Sequence, residues 1–195
     1  MRQHGWSAMT LCAAIQVSPA ADVSGDFSTA LVAASRSPDI TAAEDVYASL
    51  LGAWEVETRD RTEDGHYQVG HGEWFFARTL EGRAVQDVWI APARGQRRSE
   101  DPRFANRYGT SVRTFDPASR RWQVTWLNPV TGAFDVLHTR VDGTRIVQEG
   151  ARASGQRMRW IFQEITAKSF HWTGEAQQPD GSWRLEAEFF GHRQR

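Results

Sequence analysis

Cysteine is almost missing from this chain of 195 residues: Cys12 is the only one. A single thiol excludes an internal disulfide framework and any zinc site built on several thiolates. Lysine is nearly as scarce, with Lys168 alone among arginines. Charge of one sign is lacking too: 23 basic side chains face 24 acidic ones, a net charge of −1. Such a balance exerts no general pull on phosphate backbones or anionic lipid, so nucleic acid is not an expected partner. No stretch approaches the ~18 consecutive apolar residues of a spanning helix, and no integral membrane segment is expected. The common catalytic signatures are also missing, among them H-E-x-x-H, G-x-S-x-G, a phosphate-binding glycine loop and a dinucleotide fingerprint. His66, His71, His138, His171 and His192 are scattered, which leaves no metal site to expect.

What is abundant is tryptophan, nine residues of it, eight lying between Trp54 and Trp183. Length and composition, 40% hydrophobic and 24% charged, suit one globular domain with a sizeable core. Residues 1–38 lack a clear period and read as a leader or disordered arm, and 39–195 as a single domain. Arg2, the mildly apolar stretch from Ala8 to Val17 and Ser18-Pro19-Ala20 sketch a signal peptide that Thr10 and Gln16 interrupt. A cytoplasmic location is favoured, with export as the alternative.

Thr41-Ala42-Ala43-Glu44 has the form of a capping box and predicts a short N-terminal helix running to about Leu51. Beyond Gly52 the pattern changes to alternation, first in Trp54-Glu55-Val56-Glu57-Thr58-Arg59. Turn signals at Asp64-Gly65, Glu81-Gly82, Asp116-Pro117, Asn128-Pro129, Asp142-Gly143, Ser154-Gly155 and Asp180-Gly181 divide the remainder into about ten strands. Short links make neighbours antiparallel, and so many strands without a helical layer are best protected by closing on themselves. The expected fold is all-β: a closed up-and-down antiparallel β-barrel of about ten strands.

Alternation also assigns faces. Trp54, Trp74, Trp89, Trp122, Trp126, Trp160, Trp172 and Trp183 fall inside, with Val112, Phe134, Val136 and Phe189. Arg113 and Arg159 fall outside, although a one-residue bulge would move either in. Large rigid rings leave gaps, so the interior reads as a pocket for a small apolar or aromatic molecule, bounded by Trp74, Trp89, Trp122, Trp126, Gln148, Trp160 and Trp172. Four polar residues also fall on the inner face: Asp87, His138, Gln148 and Glu164. They support an alternative reading as a cofactor-independent isomerase, cyclase or hydratase, with Asp87 or Glu164 as general acid or base and His138 as partner. The long 92–107 connection carries Arg94, Arg97, Arg98, Arg103 and Arg107, and reads as a surface loop or as a lid over one barrel mouth. Oligomeric state is left open by the sequence.

Leu51-Gly52-Ala53-Trp54, at the opening of the first strand, resembles the G-x-W signature of the calycin barrels, the lipocalins and their relatives. The resemblance implies that Trp54 closes the barrel floor and that an arginine near the end of the last strand, here Arg193, packs across it. The T-D-Y signature of lipocalins is absent, and ten strands are similar to fatty-acid-binding and nitrobindin-like relatives. Nitrobindins imply haem, held by a last-strand histidine; Arg184-Leu185-Glu186-Ala187-Glu188-Phe189 is similar to their C-terminal end, but an arginine stands at the histidine's place. No cofactor is therefore expected, with a haem-binding barrel kept as a further alternative. The runs from Glu81 to Trp89, Tyr108-Gly109-Thr110, Trp126-Leu127-Asn128-Pro129 and Ser169-Phe170-His171-Trp172 resemble bacterial calycin-like proteins of unassigned function, a likeness that implies a barrel and no reaction.

Overall fold

The computed structural model describes residues 23–98 and 107–194. Ten strands form one closed antiparallel barrel: β1 (Gly52–Arg61), β2 (Tyr67–Thr79), β3 (Ala84–Ala91), β4 (Arg107–Asp116), β5 (Arg121–Asn128), β6 (Ala133–Asp142), β7 (Arg145–Ala151), β8 (Arg157–Gln163), β9 (Ser169–Gln177) and β10 (Trp183–Arg193). Each strand pairs with its sequence neighbours, and β1 pairs with β10 to close the sheet. Closure leaves no strand without a neighbour on both sides, which is how an all-β chain without a covering helix layer protects its edges.

Among the described residues a single α-helix, α1 (Val23–Leu31), lies ahead of the barrel, inside the segment expected to be a loose arm. After it the chain lies on the barrel: Val32 bridges Thr79, the Ala33 amide donates to the Arg78 carbonyl at 2.9 Å, and Ser37 is buried. Residues 1–22 of the expected leader, with Trp6 and Cys12, lie outside the described residues.

The helix expected over residues 41–51 does not form. Only Ala48–Leu50 makes a 3-10 turn, and the rest is a strap of turns across the barrel floor. Part of the capping box is present, since the Thr41 amide donates to Glu44 Oε2 at 2.9 Å. Barrel side chains take four of the strap's carbonyls, among them Glu44 O, which a helix over 41–51 would use internally. Trp122 Nε1 donates to Glu44 O, Trp54 Nε1 to Leu50 O, and Arg193 to Ser49 O and Leu51 O. Ile40, Tyr47 and Leu50 meanwhile bury their side chains in the core.

The floor has the arrangement that the G-x-W resemblance implies. Trp54 is fully buried, and the Arg193 guanidinium lies over its ring at 4.1 Å. Three carbonyls hold that guanidinium: Leu51 O at 2.6 Å, Ala167 O at 2.7 Å and Ser49 O at 2.9 Å. Gly52 has φ of 120°, and a Cβ there would come within 2.5 Å of Arg193 Nη1, so both its conformation and the close approach require glycine.

Three strands face otherwise than alternation of apolar residues suggests. In β4 the inner face carries Gly109, Ser111, Arg113 and Phe115, and Val112 points out; no bulge is involved, because the β3–β4 pairs keep one register on both sides of a gap at Asp87 and Val88 and the β4–β5 pairs are unbroken. Gly109 is small because the Trp126 ring occupies its place: a Cβ there would lie 2.1 Å from Trp126 Cη2. In β6 the inner face is Asp135, Leu137 and Thr139, while Phe134 is 59% exposed and Val136 and His138 also point outward. In β10 a bulge between Leu185 and Ala187 changes the phase. Phe189 is inside as expected, with Ala187, but Trp183 lies outside, with the Arg159 guanidinium 4.2 Å above its ring.

Candidate functional site: an aromatic belt around a central cavity

Five rings from five strands close a belt inside the barrel. Trp126 (β5) meets Trp160 (β8) at 5.8 Å, Trp160 meets Trp172 (β9) at 6.1 Å, and Trp172 stacks on Phe189 (β10) at 4.5 Å. Phe189 stacks in turn on Trp89 (β3) at 5.5 Å, and Trp89 returns to Trp126 at 6.4 Å. Trp74 from β2 packs edge-on against Trp172 and Phe189. The offset and edge-to-face geometries are those that ring quadrupoles favour. Glycines at inward positions make room for the belt: Gly109 beside Trp126 and Gly174 beside Trp172.

Within the belt lies a cavity of about 170 Å³, lined by Trp74, Trp89, Trp126, Trp160, Trp172 and Phe189 together with Ser111 and Arg113. Of the residues expected to bound a pocket, five therefore line it. Trp122 and Gln148 do not. Trp122 sits lower, edge-on to Tyr47 at 5.3 Å, and Gln148 donates to the Tyr47 hydroxyl at 2.8 Å.

Beneath the cavity is a buried ion pair. Arg113 Nη1 donates to Asp87 Oδ2 at 2.6 Å, with the two side chains 1% and 0% exposed. The other carboxylate oxygen of Asp87 accepts the Ser111 amide at 2.9 Å. The Arg113 guanidinium is enclosed by the rings of Tyr47, Phe76 and Phe162 at 5.1–5.9 Å. These aromatic faces partly replace water around the cation. Tyr47 extends the polar chain downward, its hydroxyl 2.6 Å from Thr139 Oγ1. Burial pushes that hydroxyl above the usual tyrosine value, against the opposing influence of Arg113 and the two hydrogen bonds.

Trp74 Nε1, Trp89 Nε1, Arg113 Nε and Gln148 Oε1 are buried without a partner. Three of the four belong to residues that line the cavity, yet these atoms are sealed from it, so the wall a guest meets is largely ring carbon. At the mouth, Arg107 bonds Asp60 at 2.7 Å and its guanidinium covers Trp89 at 4.8 Å. Asp135, inward-facing at the same end, is half-buried, and desolvation raises its carboxyl above the ordinary aspartate value despite the pull of Arg152. The mouth is where the long connection enters. Its Arg94 is bound to Glu73 and its Arg97 to the carbonyls of Pro92 and Arg107; Arg103 lies outside the described residues.

The expected acid–base group does not assemble. Asp87 is held by Arg113 and Ser111, His138 is exposed on the outer face of β6, and Glu164 is exposed in the β8–β9 turn with φ of 52°. A haem fits this interior poorly as well. No cavity-lining residue is a histidine; His138, His171 and His192 all face outward, and His171 is engaged with Glu188 at 3.1 Å. Among the described residues no group of three or more histidine, cysteine or acidic side chains is placed to hold a metal, and no helix is long and apolar enough to cross a membrane.

The residues missed in the sequence are Arg113, Ser111, Tyr47 and Asp135. Arg113 could have been found by requiring a buried counter-ion for Asp87; Tyr47, in the strap, gave no signal.

No family model matches the sequence, and no curated protein does. Solved structures do match in shape. Rv2717c from M. tuberculosis superposes with a TM-score of 0.55 at 14% identity, over 80% of this chain and 99% of that one. The S-type phycobiliprotein lyase CPES from Guillardia theta superposes with a TM-score of 0.51 at 10% identity, over 80% of this chain and 95% of that one. The fold, a closed ten-stranded β-barrel, is similar to that of these two structures. At these identities the likeness extends to the fold alone.

Proposed function

We propose that this barrel binds a small apolar guest, a single aromatic ring or a molecule of similar size, inside the tryptophan belt. The observation that carries the reading is the cavity of about 170 Å³ lined mainly by six aromatic side chains. An apolar cavity of roughly 150 Å³ stays dry and takes up benzene or xenon, because no water inside could make its hydrogen bonds. The volume is well below the ~300–1,000 Å³ of a drug-sized site, so a long lipid or a fused multi-ring compound would require the belt to open. Catalysis by Asp87, Glu164 and His138 is not proposed, because these groups lie apart. The likeness to a phycobiliprotein lyase supports the barrel and not the reaction.

Benzene and indole are suitable probes, read by tryptophan emission and by melting temperature. Binding to the folded state alone raises stability by RT ln(1 + [L]/Kd), about 2.7 kcal/mol at a hundredfold excess over Kd, which is several degrees for a domain this size. Unchanged emission and unchanged melting at saturating probe would refute the reading.

A further inference from the structure

A second concavity lies at the side of the barrel, separate from the belt. The β5–β6 ladder stops at the pair Gln123–His138, although β5 continues to Arg121, still paired with β4, and β6 continues to Asp142, still paired with β7. The two strands therefore part toward the floor, and the 43–46 strap passes beside the gap. The resulting groove has a volume of about 880 Å³, within the range of sites that take organic molecules. Phe115 and Trp122 contribute apolar surface, and Thr139, which holds the Tyr47 hydroxyl, connects the groove to the buried polar chain.

The groove is cationic on a chain that is otherwise balanced. Four guanidinium groups line it, Arg120, Arg121, Arg140 and Arg157, against two carboxylates, Glu44 and Glu149. The carboxylates are already committed, Glu44 to Arg120 and Glu149 to Arg140. The excess falls on Arg121 and Arg157, which have no ion-pair partner among the described residues. A guanidinium presents a planar fork of donors that matches a carboxylate or phosphate, and an uncommitted one beside apolar surface suits an anion with a flat body.

We infer that this groove is a binding site for an organic anion, an aromatic carboxylate or phosphate, independent of the guest in the tryptophan belt. The flat part would lie toward Trp122 and Phe115, and the acidic group would meet Arg121 or Arg157.

The test uses the whole chain with 2-naphthoate, its uncharged counterpart 2-naphthalenemethanol, and inorganic phosphate, followed by the indole N–H resonances in nitrogen-15 spectra. The Trp122 signal is assigned by its loss in Trp122→Phe. We expect 2-naphthoate to shift the Trp122 resonance, to bind at least tenfold more tightly than the alcohol, and to weaken as salt is raised. The double variant Arg121→Gln with Arg157→Gln, both exposed positions, should lose at least tenfold in affinity for 2-naphthoate while benzene still shifts the belt resonances. Phosphate competing with 2-naphthoate supports the anion subsite. Binding of 2-naphthoate that is indifferent to salt and to the double variant, or no shift of Trp122 at millimolar probe, overturns the proposal. Failure of benzene alone counts against the belt reading and leaves this one standing.

Discussion

Asp87 and Arg113 show how much of the interior depends on single residues. The pair sits at 0% and 1% exposure, so removing one partner leaves an uncompensated charge in a site with little water. Asp87→Asn is expected to lower the unfolding free energy by about 3–5 kcal/mol, measured by urea denaturation. Replacing both, as Asp87→Leu with Arg113→Met, should cost much less than the single change, because an apolar pair of similar volume carries no desolvation penalty. A double variant as unstable as the single one would show that the pair does more than neutralise itself. Alternation located Asp87 on the inner face but not Arg113, because a strand whose inner face reads Gly-x-Ser-x-Arg offers no apolar row to detect. The same blindness affected β6, where the outward-facing Phe134 and Val136 form the more apolar row and the inner row contains Asp135 and Thr139. Position along an alternating run decides a face only when the more apolar row is also the buried one.

At the scale of elements, the strap is the part with an electrostatic switch. Hydrogen bonds from Arg120 and Thr41 hold the Glu44 carboxyl at about 2, down from its ordinary 4.5. A carboxylate whose folded value is depressed contributes stability above its unfolded value, and loses that contribution as pH falls from 4.5 toward 2. Glu44→Gln should therefore be less stable than the parent near neutrality, with the difference vanishing across that acid range in parallel denaturation series. Because the Glu44 carbonyl accepts the Trp122 indole N–H, tryptophan emission would report the same transition. A difference that persists at pH 2 would assign the role of Glu44 to something other than its charge. The strap also explains why its helix was misread. Thr41 and Glu44 do form the local bond that a capping box predicts, but the Glu44 carbonyl is drawn to Trp122 and the Ser49 and Leu51 carbonyls to Arg193, contacts between positions far apart in the chain. Strands were legible because their signal, alternation bounded by turn residues, is local; the strap was not, because its conformation is set by the barrel it crosses.

For the whole molecule, closure rests on the seam between β1 and β10, where seven residue pairs join Trp54–Asp60 to Ala187–Arg193. Arg193 binds three carbonyls there and covers Trp54. Arg193→Gln is expected to cost about 2 kcal/mol or more, since charge-assisted hydrogen bonds and the cation–π contact are lost together. Urea denaturation gives the cost, and faster hydrogen exchange at β1 and β10 than elsewhere would place the damage at the seam. Uniform protection with unchanged stability would mean that the ladder alone closes the barrel. The ten-strand barrel, its order and its tryptophan-lined interior were all legible in the sequence, since hairpin rhythm and ring spacing encode them directly. The bulge that turns Trp183 outward and the parting of β5 from β6 were not, because each depends on how strands shift relative to one another.

The clamp of Arg193 on the Leu51 carbonyl spans 142 positions of sequence. During translation the first strand must therefore wait for almost the entire domain to be synthesised before its edge is covered. Contacts of such long separation form late, and an open edge in the interval invites pairing with another nascent chain. The outward row of β1, Glu55, Glu57 and Arg59, places charge along that waiting edge, the usual protection of a strand against the wrong neighbour. Side chains that face solvent on the finished barrel thus guard the unfinished one on the ribosome.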